Sequence, residues 1–269
     1  MTRLTYLWLF ISSAFFLSCD KNPSDEQPAD GPLSYGDGVF YLKVDPYTVS
    51  PSVSRPGTYT AFPDNLNINN ATGVITVSED GKDAEQTQMG LKYKIVFTAT
   101  TGEKDSTFVV LAGINYQDKI YNLSQNQVKA RPFYNADPSR TIPAGNYGMR
   151  DNDKLVVNPA NGEIDLQASI NAGLFGDDPQ NDDWRVIKVR YKANDNSTED
   201  TRMEIIVYYY DTVADIPSNV SEVMRAHQSL LLGLQPEVIP VTTAPPDLGI
   251  AGLVSPGKPR PPCIIIVGH

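Results

Sequence analysis

One stretch of this chain occurs twice, and that constrains its folding more than any other feature. Residues 65–77 align without gaps to residues 154–166, so that Leu66, Asn69, Ala71, Gly73 and Ile75 match Leu155, Asn158, Ala160, Gly162 and Ile164. Gly57 and Tyr59 precede the first copy as Gly145 and Tyr147 precede the second. Each copy is followed by two runs in which apolar and polar residues alternate: 91–98 and 106–112, then 185–192 and 201–210. Alternation rich in Val, Ile, Tyr and Thr marks strands with one face buried. The connections at 100–105 and 194–200 are rich in Gly, Asn, Asp and Ser, so each pair reads as a β-hairpin. The expected fold class is all-β, with the same unit built twice.

Within the repeat, the Asn side chain can cap a turn and the Gly can take positive φ where the chain reverses. The Asn-x-Ala-x-Gly element, flanked by Leu66 and Ile68 before and Ile75 and Val77 after, resembles a hairpin of cadherin-like and related immunoglobulin-like bacterial surface modules. That resemblance implies two tandem β-sandwiches, set at 32–125 and 126–212. One larger sandwich made of two related halves is the alternative. Tyr59 and Tyr147 hold equivalent positions, which points to a structural role for both.

The N-terminus is of another kind. Arg3 is followed by an apolar run from Leu4 to Leu17, too short to span a bilayer, which needs ~20 residues. Phe16, Leu17, Ser18 and Cys19 follow, and then an abrupt polar segment. This resembles the lipobox of bacterial lipoproteins, in the looser form common among Bacteroidetes, where Phe16 stands in place of Leu or Val. The resemblance implies a signal peptide over 1–18, lipidation of Cys19 and a membrane-anchored mature chain. A plain cleaved signal peptide is the rival reading, but it lacks the small-x-small site. Asp20, Asp25 and Glu26 resemble the signal that sends such lipoproteins outward, implying an outer-membrane, surface-exposed location. Residues 19–31 are polar and read as a tether.

The formal charge is −10 and no basic patch stands out, which argues against nucleic acid as a partner. The chain has two cysteines and two histidines. With Cys19 carrying lipid, Cys263 has no partner, and neither a disulfide nor a cysteine metal site is expected. His227 and His269 lie outside the expected core, which removes most zinc and Ser-His chemistry. The last segment, 213–269, opens with a capping-box spacing from Asn219 to Glu222 and a short helical pattern over 223–232. A Pro-rich extended tail follows, ending in the apolar run Cys263–Val267. That run reads either as an edge strand docked on a neighbouring sheet or as a partner strand for another subunit.

Candidate binding residues are few. Asp151, Asp153, Asp182 and Asp183 are loop carboxylates of the second repeat, and calcium takes oxygen ligands of this type. The resemblance to cadherin-like modules supplies a precedent for calcium, yet the cadherin linker patterns are absent and solvated acidic loops are the plain reading. Trp184, in an insertion over 173–183 that the first repeat lacks, and Tyr209 in the 208–210 run are candidates for stacking on a glycan. No nucleophile elbow, zinc-protease helix motif or phosphate loop is present, so the expectation is not an enzyme. The expected function is a non-catalytic binding or adhesion lipoprotein for a glycan or protein partner. The alternative is a structural or accessory subunit of an uptake complex or surface fibre.

Overall fold

The computed structural model describes residues 31–78, 89–148, 154–218, 224 and 261–268. The expected signal peptide, Cys19, nearly all of the tether, Asp151 and Asp153 lie outside them. So does the expected helix over 223–232, apart from Met224.

Alternation decides the first half. In Leu91–Ala99 (β5), Leu91, Tyr93, Ile95 and Phe97 point into the core while Lys92, Lys94 and Thr98 point outward. Among the described residues, six strands build this half: Val39–Phe40 (β1), Tyr47–Val49 (β2), Gly57–Phe62 (β3), Ile75–Val77 (β4), β5 and Lys104–Leu111 (β6). One sheet runs β1-β6-β5-β3, with β1 parallel to β6, and β2 pairs with β4 in a second. The core between them holds Tyr59, Ile75, Val77, Tyr93, Ile95 and Val109. The first half is thus a β-sandwich.

The second half repeats this with more pieces. Its strands are Ile114–Tyr116 (β7), Lys119–Asn122 (β8), Lys129–Ala130 (β9), Pro132–Tyr134 (β10), Gly145–Asn146 (β11), Val156–Val157 (β12), Ile164–Asp165 (β13), Asp183–Ala193 (β14), Thr201–Tyr210 (β15) and Cys263–Val267 (β16). The large sheet runs β11-β14-β15-β16-β8, and β12-β13-β9 and β10-β7 form smaller sheets. Tyr147, Ile164, Ile187, Val189, Tyr191 and Ile264 meet in its core. A short helix, Leu166–Asn171 (α1), interrupts the all-β pattern; Asp165 caps it by accepting a hydrogen bond from the Ala168 amide at 2.9 Å. Both expected hairpins form, β5 with β6 and β14 with β15.

The repeated element is one structure made twice. The Gly73 amide donates to the Asn69 carbonyl at 2.7 Å, and the Gly162 amide to the Asn158 carbonyl at 2.9 Å. The Asn69 and Asn158 side-chain oxygens accept from the Ala71 and Ala160 amides, closing the same turn. Both glycines have positive φ, +71° and +74°. The Tyr59 amide donates to Asn70 and the Tyr147 amide to Pro159, while both rings are buried. A further equivalence is invisible in the gap-free alignment: the Tyr35 hydroxyl donates to the Gly73 carbonyl at 2.6 Å, and the Tyr116 hydroxyl to the Gly162 carbonyl at 2.5 Å.

This second tyrosine pair corrects the expected boundary at 125. Ile114, Tyr116 and Tyr121 pack in the second core, not the first, so 114–122 belongs with the second unit. In the other direction Phe133 and Ala136 pack in the first core, and the Thr198 amide donates to the Leu42 carbonyl at 2.9 Å. Cys263–Val267 docks on a sheet of its own chain, as one of its two readings had it, but inside that sheet and not at its edge, parallel to β15 on one side and to β8 on the other.

Candidate functional site

The outward face of the large sheet of the second half is itself covered. Ile206, Tyr208, Tyr210, Cys263 and Ile265 form a third apolar cluster there, and Ile120, Ile216 and Met224 pack on it. Tyr208 and Tyr210 stack at 6.4 Å between ring centroids, 15° from parallel, and both are buried. Two side chains at the margin of this cluster stay open to solvent. Trp184 is 44% exposed and Val186 is 38% exposed, both on the outward side of β14. Trp184 stands across from Tyr208 in the strand register, with ring centroids 6.5 Å apart and tilted by 30°. The indole therefore rests on a fixed aromatic neighbour and offers part of its surface outward.

Tyr209 does not join it. Its side chain points to the opposite face, is 7% exposed and packs on Phe175 at 5.9 Å in the second core. The expectation that Tyr209 stacks on a ligand is thus corrected. Alternation sends Tyr209 inward from Tyr208 and Tyr210, and this sheet carries apolar layers on both faces.

Asp182 and Asp183 serve their own loop. Asp182, at φ +71°, accepts the Tyr210 hydroxyl at 2.9 Å, and its amide donates to the Tyr209 carbonyl at 3.0 Å. Burial, and then this carboxylate, push the Tyr210 phenol above its ordinary range. Asp183 accepts from the Gln180 amide at 2.9 Å. Among the described residues no three His, Cys, Asp or Glu side chains are grouped to hold a metal ion.

A group that sequence reasoning passed over is Asp118, in the turn between β7 and β8. It is buried, and its Oδ1 accepts the Cys263 amide at 2.8 Å. The sequence marks it only as an acidic residue between Ile114–Tyr116 and Ile120–Tyr121. At the other end of β16, the Gly268 amide donates to the Tyr210 carbonyl at 3.0 Å. Strand β16 is thus hydrogen-bonded along both edges and pinned at its start by a carboxylate.

No protein-family model matches the chain, and no curated protein matches it. Among solved structures, the EC1-3 fragment of mouse clustered protocadherin PcdhgC3 is 9% identical, with 68% of this chain and 69% of that chain covered, at a TM-score of 0.20. The EC1-3 fragment of protocadherin gamma C5 is 11% identical, covering 66% and 68%, at a TM-score of 0.19. Overlays of that quality leave the architecture to be read from the sheets themselves.

Proposed function

We propose that this protein is a non-catalytic binding lipoprotein, held at the outer membrane through lipid on Cys19, which presents its second β-unit to a surface glycan or protein. The observation that supports this reading is the Trp184 and Val186 strip: apolar, solvent-facing and fixed by Tyr208 beneath it. An indole held this way can stack on a sugar ring or fill a partner's apolar pocket. The acidic loop at 177–183 beside it suits a neutral or cationic partner better than an anionic one.

The test is a glycan array and a surface-protein pull-down with the mature chain, each run with and without calcium. Trp184→Ala should weaken capture about tenfold, equivalent to about 1.4 kcal/mol. Equal capture by the variant and the parent chain would remove Trp184 from the reading. A calcium requirement would move attention to the acidic loops.

A second reading is favoured by a separate observation. The position of β16 inside a sheet built from distant residues suits a structural subunit of a surface assembly, in which strands join subunits.

A further inference from the structure

The main sheets of the two halves match strand for strand, except at one place. β3 pairs with β5 in the register Gly57 to Ala99, and β11 with β14 in the register Gly145 to Ala193. β6 and β15 are the next strands in each sheet. β1 and β8 also correspond, because each follows the tyrosine that donates to the repeat glycine. In the first half β1 lies directly on β6, parallel, with Val39 beside Val110. In the second half β8 stands one strand further out, and Cys263–Val267 occupies the gap between it and β15.

The second sheet is therefore built around a slot one strand wide, filled by a segment remote in sequence. All five residues of β16 are buried, between 0% and 3% exposed. Ile264 and Ile266 enter the inner core, while Cys263 and Ile265 enter the outer cluster. Because both faces are apolar, the hydrophobic pattern alone would barely resist a one-residue slip. The bond from the Cys263 amide to Asp118 supplies the register that the pattern lacks.

We propose that this slot is a strand-acceptor site for a second copy of the same chain, so that Cys263–Val267 of one copy fills the slot of another; this rests on the structural-subunit reading. Among the described residues, the strands and Asp118 that hold β16 lie outside the chain connecting it to β15, which adds only the packing of Ile216 and Met224 on the outer cluster. The main-chain bonds, the two apolar layers and Asp118 are identical in a second copy, which is the condition for exchanging an element between protomers. Residues 219–260 separate the strand from the rest of its sheet. A chain of roughly 40 residues can extend over about 100 Å, so connection to one copy does not forbid insertion into the next. A connection of that length gives an effective concentration no higher than the ~mM of a short linker. The closed monomer is thus favoured in dilute solution, and exchange is favoured where copies are crowded.

The test uses two forms of the full chain, both carrying Cys19→Ser. One also carries Ile206→Cys and Cys263→Ser; the other keeps Ile206 and Cys263. Positions 206 and 263 are register partners on neighbouring strands and face the same cluster, so a disulfide between the two forms requires the strand of one in the slot of the other. Mixed, loosened in urea and returned at high concentration to buffer containing oxidised glutathione, which takes up the two electrons, they should give a reducible heterodimer that grows with concentration. It should vanish when the second form also carries Cys263→Ser. The single chain Ile206→Cys, with Cys263 intact, should close internally in dilute solution.

An internal bond without any heterodimer overturns the proposal. Should the internal bond not form, light scattering decides. The parent chain refolded at the same concentration must then give dimers or larger species, and Ile265→Glu must not; monomers throughout overturn the proposal equally. If the native chain still co-purifies with other surface proteins while no exchange occurs, the structural-subunit reading stands and only the proposal fails.

Discussion

Gly73 is at φ +71°, and a Cβ there would lie 2.7 Å from the Tyr59 ring and 3.0 Å from the Tyr35 hydroxyl oxygen. Two demands coincide at this residue: a left-handed backbone, and contact with a tyrosine that cannot retreat because it is fully buried. Gly36 makes only the first demand, since its φ is +65° and nothing lies within 4 Å of its added Cβ. The pair separates backbone strain from steric clash. Gly36→Ala should cost about 1 kcal/mol, the ordinary penalty for a left-handed alanine. Gly73→Ala should cost about 2–4 kcal/mol, because overpacking adds to that penalty. Urea denaturation of both variants checks this, and equal losses would mean that the tyrosine cage is not tight. Gly162 is the same residue in the second unit, but its added Cβ would stand 3.3 Å from the Tyr147 ring, so its substitution should fall between the two.

At the scale of elements, the long hairpins were legible and the short pieces were not. β5, β6, β14 and β15 announce themselves because each alternates over a full strand, and alternation is a local property. β7 and β8 are too short to alternate convincingly, and the equivalence of Tyr35 with Tyr116 falls outside the gap-free repeat; hence the misplaced boundary at 125. Tyr209 was misjudged because a strand pattern tells which residues share a face but not whether a second layer covers that face. β16 was recognisable as a strand, yet its neighbours were not, since nothing in five consecutive apolar residues names β15 and β8 as partners. Asp118 is where that missing information resides, and it can be tested directly. Asp118→Ala leaves the Cys263 amide without its carboxylate acceptor, a loss of about 1.5–3 kcal/mol for a hydrogen bond to a charged group. Hydrogen exchange should show amide protection falling most along β16 and its neighbours β15 and β8, and less in β5 and β6. Uniform loss of protection across both units would instead make Asp118 part of the global fold.

For the whole molecule, the two cores share a chemical signature: phenols buried among apolar side chains. Burial pushes Tyr35 and Tyr93 of the first core, and Tyr116 and Tyr191 of the second, well above the ordinary tyrosine range. Tyr121 and Tyr147 are pushed up to about 12, again mainly by burial. A group whose pKa is higher folded than unfolded holds its proton more tightly in the native state. Its contribution to stability is complete below the unfolded value of ~10 and is lost as pH rises beyond it. The chain should therefore keep constant tyrosine-linked stability from neutral pH to about 10 and then lose it steeply. The two units should go together. β10 pairs with β7 of the second unit while its Phe133 packs in the first core, and the Thr198 amide reaches the Leu42 carbonyl. Expansion of either core thus strips contacts from the other. An alkaline titration followed by tyrosinate absorbance and circular dichroism checks both points. The buried set should ionise in one step coincident with loss of the β signal. Two separated steps would show that the units unfold independently despite these links, and smooth ionisation near pH 10 with the β signal intact would mean the phenols are not sealed from water.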